Sequence, residues 1–164
     1  MHSNVSVTAH SNQQILIERS FCASPELVFT AWTDAQILSR WLGVRDGWSM
    51  AQCEVDLRVG GAYRYLWRHP QRGDMGVRGV FREIAKPHRL VYTQLFDDAW
   101  YAGEAIITVD FAGSAQQTTV SMMLHYDSEE VRDAVLRSPM ERGISESFQM
   151  LDRVWIEDAV KEGE

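Results

Sequence analysis

The sequence predicts an α+β domain in which a curved antiparallel sheet grips one long carboxy-terminal helix. Between Gln52 and about Tyr126, six strand-like runs follow one another with no helix long enough to cross between them, so neighbours must be antiparallel. The joining segments "GG", "HPQRGDMG", "AKPH", "DDAWYAG" and "AGSAQQ" are short and rich in turn formers, as hairpins require. Near the end, Ile144, Phe148, Leu151, Trp155 and Ala159 recur at helical spacing, one apolar stripe on a helix running to about Lys161. A six-strand meander and such a helix are stable only when packed on each other.

The elements follow in order. "MHSNVSVTAHSNQQ", residues 1–14, is polar and reads as a flexible leader, with a single domain over 15–164. "QILIERSFC", Gln14 to Cys22, is rich in Ile, Leu and Phe and makes a strand ahead of the meander, giving seven in all. Ser24 as N-cap, Pro25 in first position and Glu26 in the first turn open a short helix that puts Leu27, Val28, Ala31 and Trp32 on one face. Thr33 and Gln36 form a T-x-x-Q capping box before a second short helix carrying Ile37, Leu38 and Trp41, stopped by Gly43. "DSEE" at Asp127 can cap one more short helix. Ser138, Pro139 and Glu141 make an S-x-x-E start for the long one.

Composition narrows the function. At 164 residues, 45% of them hydrophobic, the chain can bury one real core. The formal net charge is -7 and no Lys/Arg run exceeds two residues, which disfavours nucleic acid and anionic membranes as partners. Cys22 and Cys53 lack a CxxC or Cys/His spacing and read as two buried thiols of a reducing compartment. The first 14 residues have neither a basic n-region nor an apolar h-region, so a cytoplasmic protein is expected.

Gly60-Gly61 could be taken for a phosphate cradle, but that motif needs a helix after the glycines, and "AYRYLWR" is a strand. Their role is to turn the chain with positive φ. In the strand that follows, Tyr63, Tyr65 and Trp67 share one face and Arg64, Leu66 and Arg68 the other. Three aromatics on a face can fill a core or line a pocket opposite Phe148 and Leu151, and their hydroxyls would need partners, a ligand among the candidates. His2, His10, His69, His88 and His125 show no metal-ligand spacing, so no metal is expected. His125 sits on the face shared by Thr119, Ser121 and Met123, either solvent-side or at a cavity mouth. No serine stands in a G-x-S-x-G context and no Ser/His/Asp order can be built. Gly143, one turn into the long helix, fits a bend, a close approach or a fraying end.

"ASPELVFTAWTDAQILSRWLG" resembles the opening signature of the activator-of-heat-shock-protein-ATPase homologue family, the AHSA-like branch of the START/Bet v 1-like (SRPBCC) superfamily. The similarity continues through "VDLRVGGAYRYLWR", "GVFREIAKPHRLVYT" and "EEVRDAVLRSPMERGISESFQMLDRV", covering about Ile15 to Asp158. It implies a helix-grip fold with a cavity between the long helix and the sheet, and relatives in the superfamily that bind lipids, sterols or polyketides or catalyse cyclisation. Leu42 and Gln94 stand where the family often has aromatics. The cavity-lining candidates are Trp32, Trp41, Tyr63, Tyr65, Trp67, Tyr92, His125, Ile144, Ser147, Phe148 and Leu151. The expected partner is a small apolar or amphipathic molecule with no cofactor, and the sequence leaves room for a homodimer. Rival readings are a cyclase-like enzyme moving protons through Tyr65, Ser147 or His125, and a co-chaperone. The last is disfavoured by the family's eukaryotic activator, which carries a further large amino-terminal domain where this chain has 14 polar residues before its first strand.

Overall fold

Polar residues suffice for an edge strand, and the amino terminus of this chain uses them so. The computed structural model describes residues 4–163. In it β1 (Ser6–His10) turns back at Ser11, φ 52°, onto β2 (Gln14–Phe21), with Ser6 opposite Glu18 and His10 opposite Gln14. The expected loose leader is therefore corrected over these residues, its first three lying outside the described residues, and the sheet has eight strands rather than seven. The weak signal was Val5 and Val7, which pack half-buried against the core. Polar partners between them are tolerated because an outer strand covers apolar surface on one side only.

Helices α1 (Pro25–Thr33) and α2 (Ala35–Trp41) follow, then β3 (Ser49–Val55), β4 (Ala62–His69), β5 (Gly73–Ala85), β6 (Arg89–Phe96), β7 (Ala105–Ser114) and β8 (Gln117–His125). Helices α3 (Glu129–Arg137) and α4 (Met140–Glu162) close the chain. The sheet order is β1-β2-β8-β7-β6-β5-β4-β3, every pair antiparallel. The six-strand meander is as expected. The strand ahead of it joins β8, so α1 and α2 carry the chain across the sheet to its far edge.

Capping is partly reassigned. Ser24 Oγ accepts from Leu27 N–H at 3.3 Å with Pro25 behind it, as its sequence signature predicts. The cap of α2 is Asp34, whose Oδ1 accepts from Gln36 and Ile37 N–H, whereas Thr33 ends α1 and its hydroxyl donates to Phe29 O. A carboxylate reaches two amides where the threonine reaches none. Ser128 caps α3 through Val131 N–H. Ser138 does not cap α4: its N–H and Oγ both donate to Val135 O and so finish α3.

The Gly60-Gly61 pair turns the chain between β3 and β4 as read, but only Gly60 takes positive φ. Gly60 has φ +85°, its N–H donates to Phe81 O, and Gly61 O accepts from Phe81 N–H, so the turn is stitched to β5. A Cβ on Gly61 would collide with Asp56 O.

The core lies between the sheet's concave face and α4. Alternation sends Ile15, Ile17, Arg19 and Phe21 of β2 inward with Val120 and Leu124 of β8. Phe148, Leu151 and Val154 of α4 are buried against them. Trp155 is half-buried, 5.7 Å from the Phe21 ring, and Ala159 is exposed because the helix outruns the sheet. The pairing of Arg19 with Asp152 fixes α4 in register: both guanidinium nitrogens donate to the carboxylate, at 2.9 and 2.5 Å, and Arg19 lies 4.4 Å over the Phe21 ring. Cys22 follows β2 into a bend and is exposed, so the expected pair of buried thiols is corrected to one exposed and one half-buried, both free.

Candidate functional site

Where α4 begins, the helix stands off the sheet and a cavity of about 800 Å³ opens. Strand alternation supplies its floor. Tyr63, Tyr65 and Trp67 of β4 point into it beside Val77 and Phe81 of β5, Leu90 and Tyr92 of β6, and Ile107 of β7. Met122, Leu124 and Tyr126 add the β8 side. Trp32, Leu38 and Trp41 wall one end, and the roof is Met140, Gly143, Ile144, Ser147 and Phe148 of α4 with Val135 of α3. The exposed lining residues Met75, Asp98, Trp100 and Arg137 mark its mouth, between the β4–β5 hairpin, the β6–β7 loop and the α3–α4 junction.

Each wall is held from behind. Trp67 Nε1 donates to Leu42 O at 2.7 Å, and Gly43, φ +70°, leaves space beside that indole that a Cβ would fill. The Gly43 N–H donates to Ser147 Oγ at 3.0 Å, tying the α2–β3 loop to the roof. Trp41 Nε1 donates to Ala31 O, and the Trp32 and Trp41 rings lie 4.9 Å apart. Gly143 serves a close approach, since a Cβ there would sit 3.0 Å from the Arg45 guanidinium. Arg45 donates to Glu146 at 2.8 Å and pairs with Asp46 at 3.0 Å, locking the loop to α4. Together with Arg142, Arg45 holds the Glu146 carboxyl below its ordinary range. Arg132 of α3, buried, donates to the carbonyls of Ser11 and Gln14, so the β1–β2 turn anchors the other half of the roof.

Of the sequence-derived candidates, Trp32, Trp41, Tyr63, Tyr65, Trp67, Tyr92, Ile144, Ser147 and Phe148 meet at this cavity. Leu42 and Gln94 also line it. Two candidates are corrected. Leu151 is fully buried one turn beyond, in the solid part of the core. His125 sits on the opposite face of β8, because its neighbours Leu124 and Tyr126 point inward. Sequence reading missed Arg45, Trp100, Tyr101, Tyr126 and Met140, from loops or element ends where no periodicity indicates direction, and also Val77, Phe81, Leu90, Ile107, Met122 and Leu124, strand residues whose inward face was not singled out. Of the groups named for moving protons, Tyr65 and Ser147 line the cavity and His125 does not.

All five tyrosines of the chain line the cavity. Tyr63 Oη donates to Thr93 O at 2.5 Å, and its ring lies 4.8 Å from Tyr65 and 5.5 Å from Tyr92. Tyr101 and Tyr126 stack edge-on at 5.8 Å nearer the mouth. Burial pushes the phenols of Tyr63, Tyr65, Tyr92 and Tyr126 well above the ordinary tyrosine value, so they stay neutral and able to donate. Among the described residues no three His, Cys, Asp or Glu side chains gather as a metal site requires, and no helix is long and apolar enough to cross a membrane.

Comparison with known proteins agrees with this architecture. The family described as Activator of Hsp90 ATPase homolog 1-like protein matches residues 22–155. A protein from Rhodobacter sphaeroides of known crystal structure is 29% identical, covering 93% of this chain and 98% of its own, with a TM-score of 0.87. A protein from Arthrobacter aurescens, solved by NMR, is 25% identical over 93% of this chain and 91% of its own, TM-score 0.80. The crystal structure of an HSP90 activator from Plasmodium falciparum is 29% identical over 69% of this chain and 72% of its own, TM-score 0.55. No protein of curated function matches. With the family's sequence pattern running through most of the chain and its helix-grip fold present from β2 to α4, this chain belongs to the Activator of Hsp90 ATPase homolog 1-like family.

Proposed function

We propose that the protein binds a small apolar or amphipathic molecule in the cavity between α4 and the sheet. The observation that carries this reading is the cavity itself: about 800 Å³ walled by aromatic and aliphatic side chains, with a few polar groups among them. Pockets of this size and character hold drug-sized ligands. A core that served stability alone would close such a space, because unfilled volume forfeits dispersion contacts and destabilises the fold.

Titration with the neutral fluorophore N-phenyl-1-naphthylamine tests it. Saturable one-to-one binding is expected, and Ile144→Trp, which grows the roof into the cavity, is expected to weaken it at least tenfold while the chain stays folded by circular dichroism. Unsaturable uptake, or equal binding by the filled variant, would refute the cavity as the binding site.

Membership of this family supports ligand binding or co-chaperone work in general, and the likeness to the Plasmodium falciparum HSP90 activator favours the second as an alternative. Stimulation of the chaperone's ATPase by the purified chain, retained in Ile144→Trp, would favour the co-chaperone reading over ligand binding.

A further inference from the structure

The polar groups inside the cavity are unevenly used. Tyr63 gives its hydroxyl to Thr93 O, but among the described residues no protein group pairs with the hydroxyls of Tyr65 or Tyr92. Tyr65 is only 9% exposed. No polar side-chain atom in the described residues is sealed away without a partner, so its unpaired hydroxyl opens onto the cavity rather than into packed core. Once a ligand fills the cavity and seals that donor from solvent, leaving it unmatched is costly, and an acceptor on the ligand removes that cost.

The charged residues of the lining are either paired or at the mouth. Arg45 is taken up by Glu146 and Asp46, Asp74 by Arg68, and Asp98 and Arg137 are exposed at the mouth. A ligand carboxylate pushed to the floor would meet phenols but no free cation, and a buried anion without one is strongly disfavoured. From these two facts, and resting on the binding role argued above, we infer that the ligand is a neutral molecule with an apolar body. It carries at least one oxygen acceptor, a carbonyl or hydroxyl, that receives hydrogen bonds from Tyr65 and Tyr92.

Three matched probes separate the possibilities by equilibrium dialysis: diphenylmethane, benzophenone, which adds one carbonyl, and 2-benzoylbenzoate, which adds a carboxylate. The quantity read is the ratio of affinities for ketone and hydrocarbon, in the wild type and in Tyr65→Phe, Tyr92→Phe and Tyr63→Phe. Each of the first two variants is expected to lower that ratio by about tenfold, the size of one lost hydrogen bond. Tyr63→Phe, whose hydroxyl is already committed, should leave it within about twofold, which guards against a general effect of losing a phenol. The carboxylate should bind at least tenfold more weakly than the ketone.

A ratio that none of the variants changes, or a carboxylate that binds as well as the ketone, overturns the inference while leaving the cavity as the binding site. If neither neutral probe binds, the binding role fails and the inference with it. Irradiating bound benzophenone and mapping the adduct gives an independent reading: labelling of β4, β6 or the start of α4 is expected, and labelling confined to the exterior is fatal.

Discussion

One helix covers two unlike interiors. The middle of α4 lies on a solid core, where Phe21, Phe148 and Trp155 meet edge-on at 5.3 and 5.7 Å and Arg19 grips Asp152. Its first turns, from Met140 to Ser147, roof a cavity lined by tyrosines, and Phe148 stands at the boundary and touches both. The solid end is built from side chains that pair with each other. At the cavity end each wall is fastened from outside, by Leu42 O, Ser147 and the Arg45–Glu146 pair, which leaves the inward surfaces open. Stability and binding are thus divided along a single element, and mutations at the two ends should have different consequences.

The largest effect is expected at the solid end. Asp152→Ala takes its carboxylate partner from the Arg19 guanidinium, which is 4% exposed, and breaking a buried pair by removing one member costs about 3–5 kcal/mol. Urea unfolding of the variant should show a midpoint lowered accordingly. A change below about 1 kcal/mol would mean that the pair is solvated like a surface one, and the division of labour along α4 would lose its main support.

A second pair of variants compares the two ends within one helix. Leu151→Ala removes a fully buried side chain from close packing, which costs about 2–5 kcal/mol. Ile144→Ala removes a similar number of carbons from a wall that already faces open space, so no new void forms and the loss should be about 1 kcal/mol. Equal losses would show that the first turns of α4 are as tightly packed as its middle.

How much of this the sequence carried depends on whether the residue lay inside a periodic element. Tyr63, Tyr65 and Trp67 could be assigned to one face because a strand alternates, and Ile144 and Phe148 because a helix repeats. At His125 alternation assigned the shared face but not its direction, which follows from Leu124 and Tyr126 occupying the inward one. Arg45 and Trp100 lie in loops, where no period exists to predict a direction. Strand β1 was hidden because its apolar content is Val7 and Ala9 alone, too little to set a period. The Thr33 and Ser138 boxes failed because a motif of four letters cannot tell the last residue of one helix from the cap of the next.

The smallest effect should appear only at alkaline pH, and it belongs to the cavity end, where all five tyrosines lie. Burial holds Tyr63, Tyr65, Tyr92 and Tyr126 protonated above the ordinary tyrosine value of 10.0. Burial, with Asp34 and Glu54 nearby, pushes the Cys53 thiol from 9.0 up to about 11. Between the unfolded and folded values the unfolded chain has released protons that the folded chain still holds, so stability falls as pH rises through that window. It should be level up to about pH 9 and decline above it, first through Cys53 and then through the phenols. Urea midpoints at pH 7.5 and 10.5 measure the decline, and Tyr65→Phe, which removes one such group, should reduce it by a fraction of a kcal/mol up to about 1 kcal/mol. Asp152→Ala, though far less stable at both pH values, should lose as much as the wild type between them. If Tyr65→Phe declined as steeply as the wild type, its phenol would ionise as freely in the folded chain as in the unfolded one. The cavity floor would then be as wet as the surface, and the contrast between the two ends of α4 would be one of packing alone.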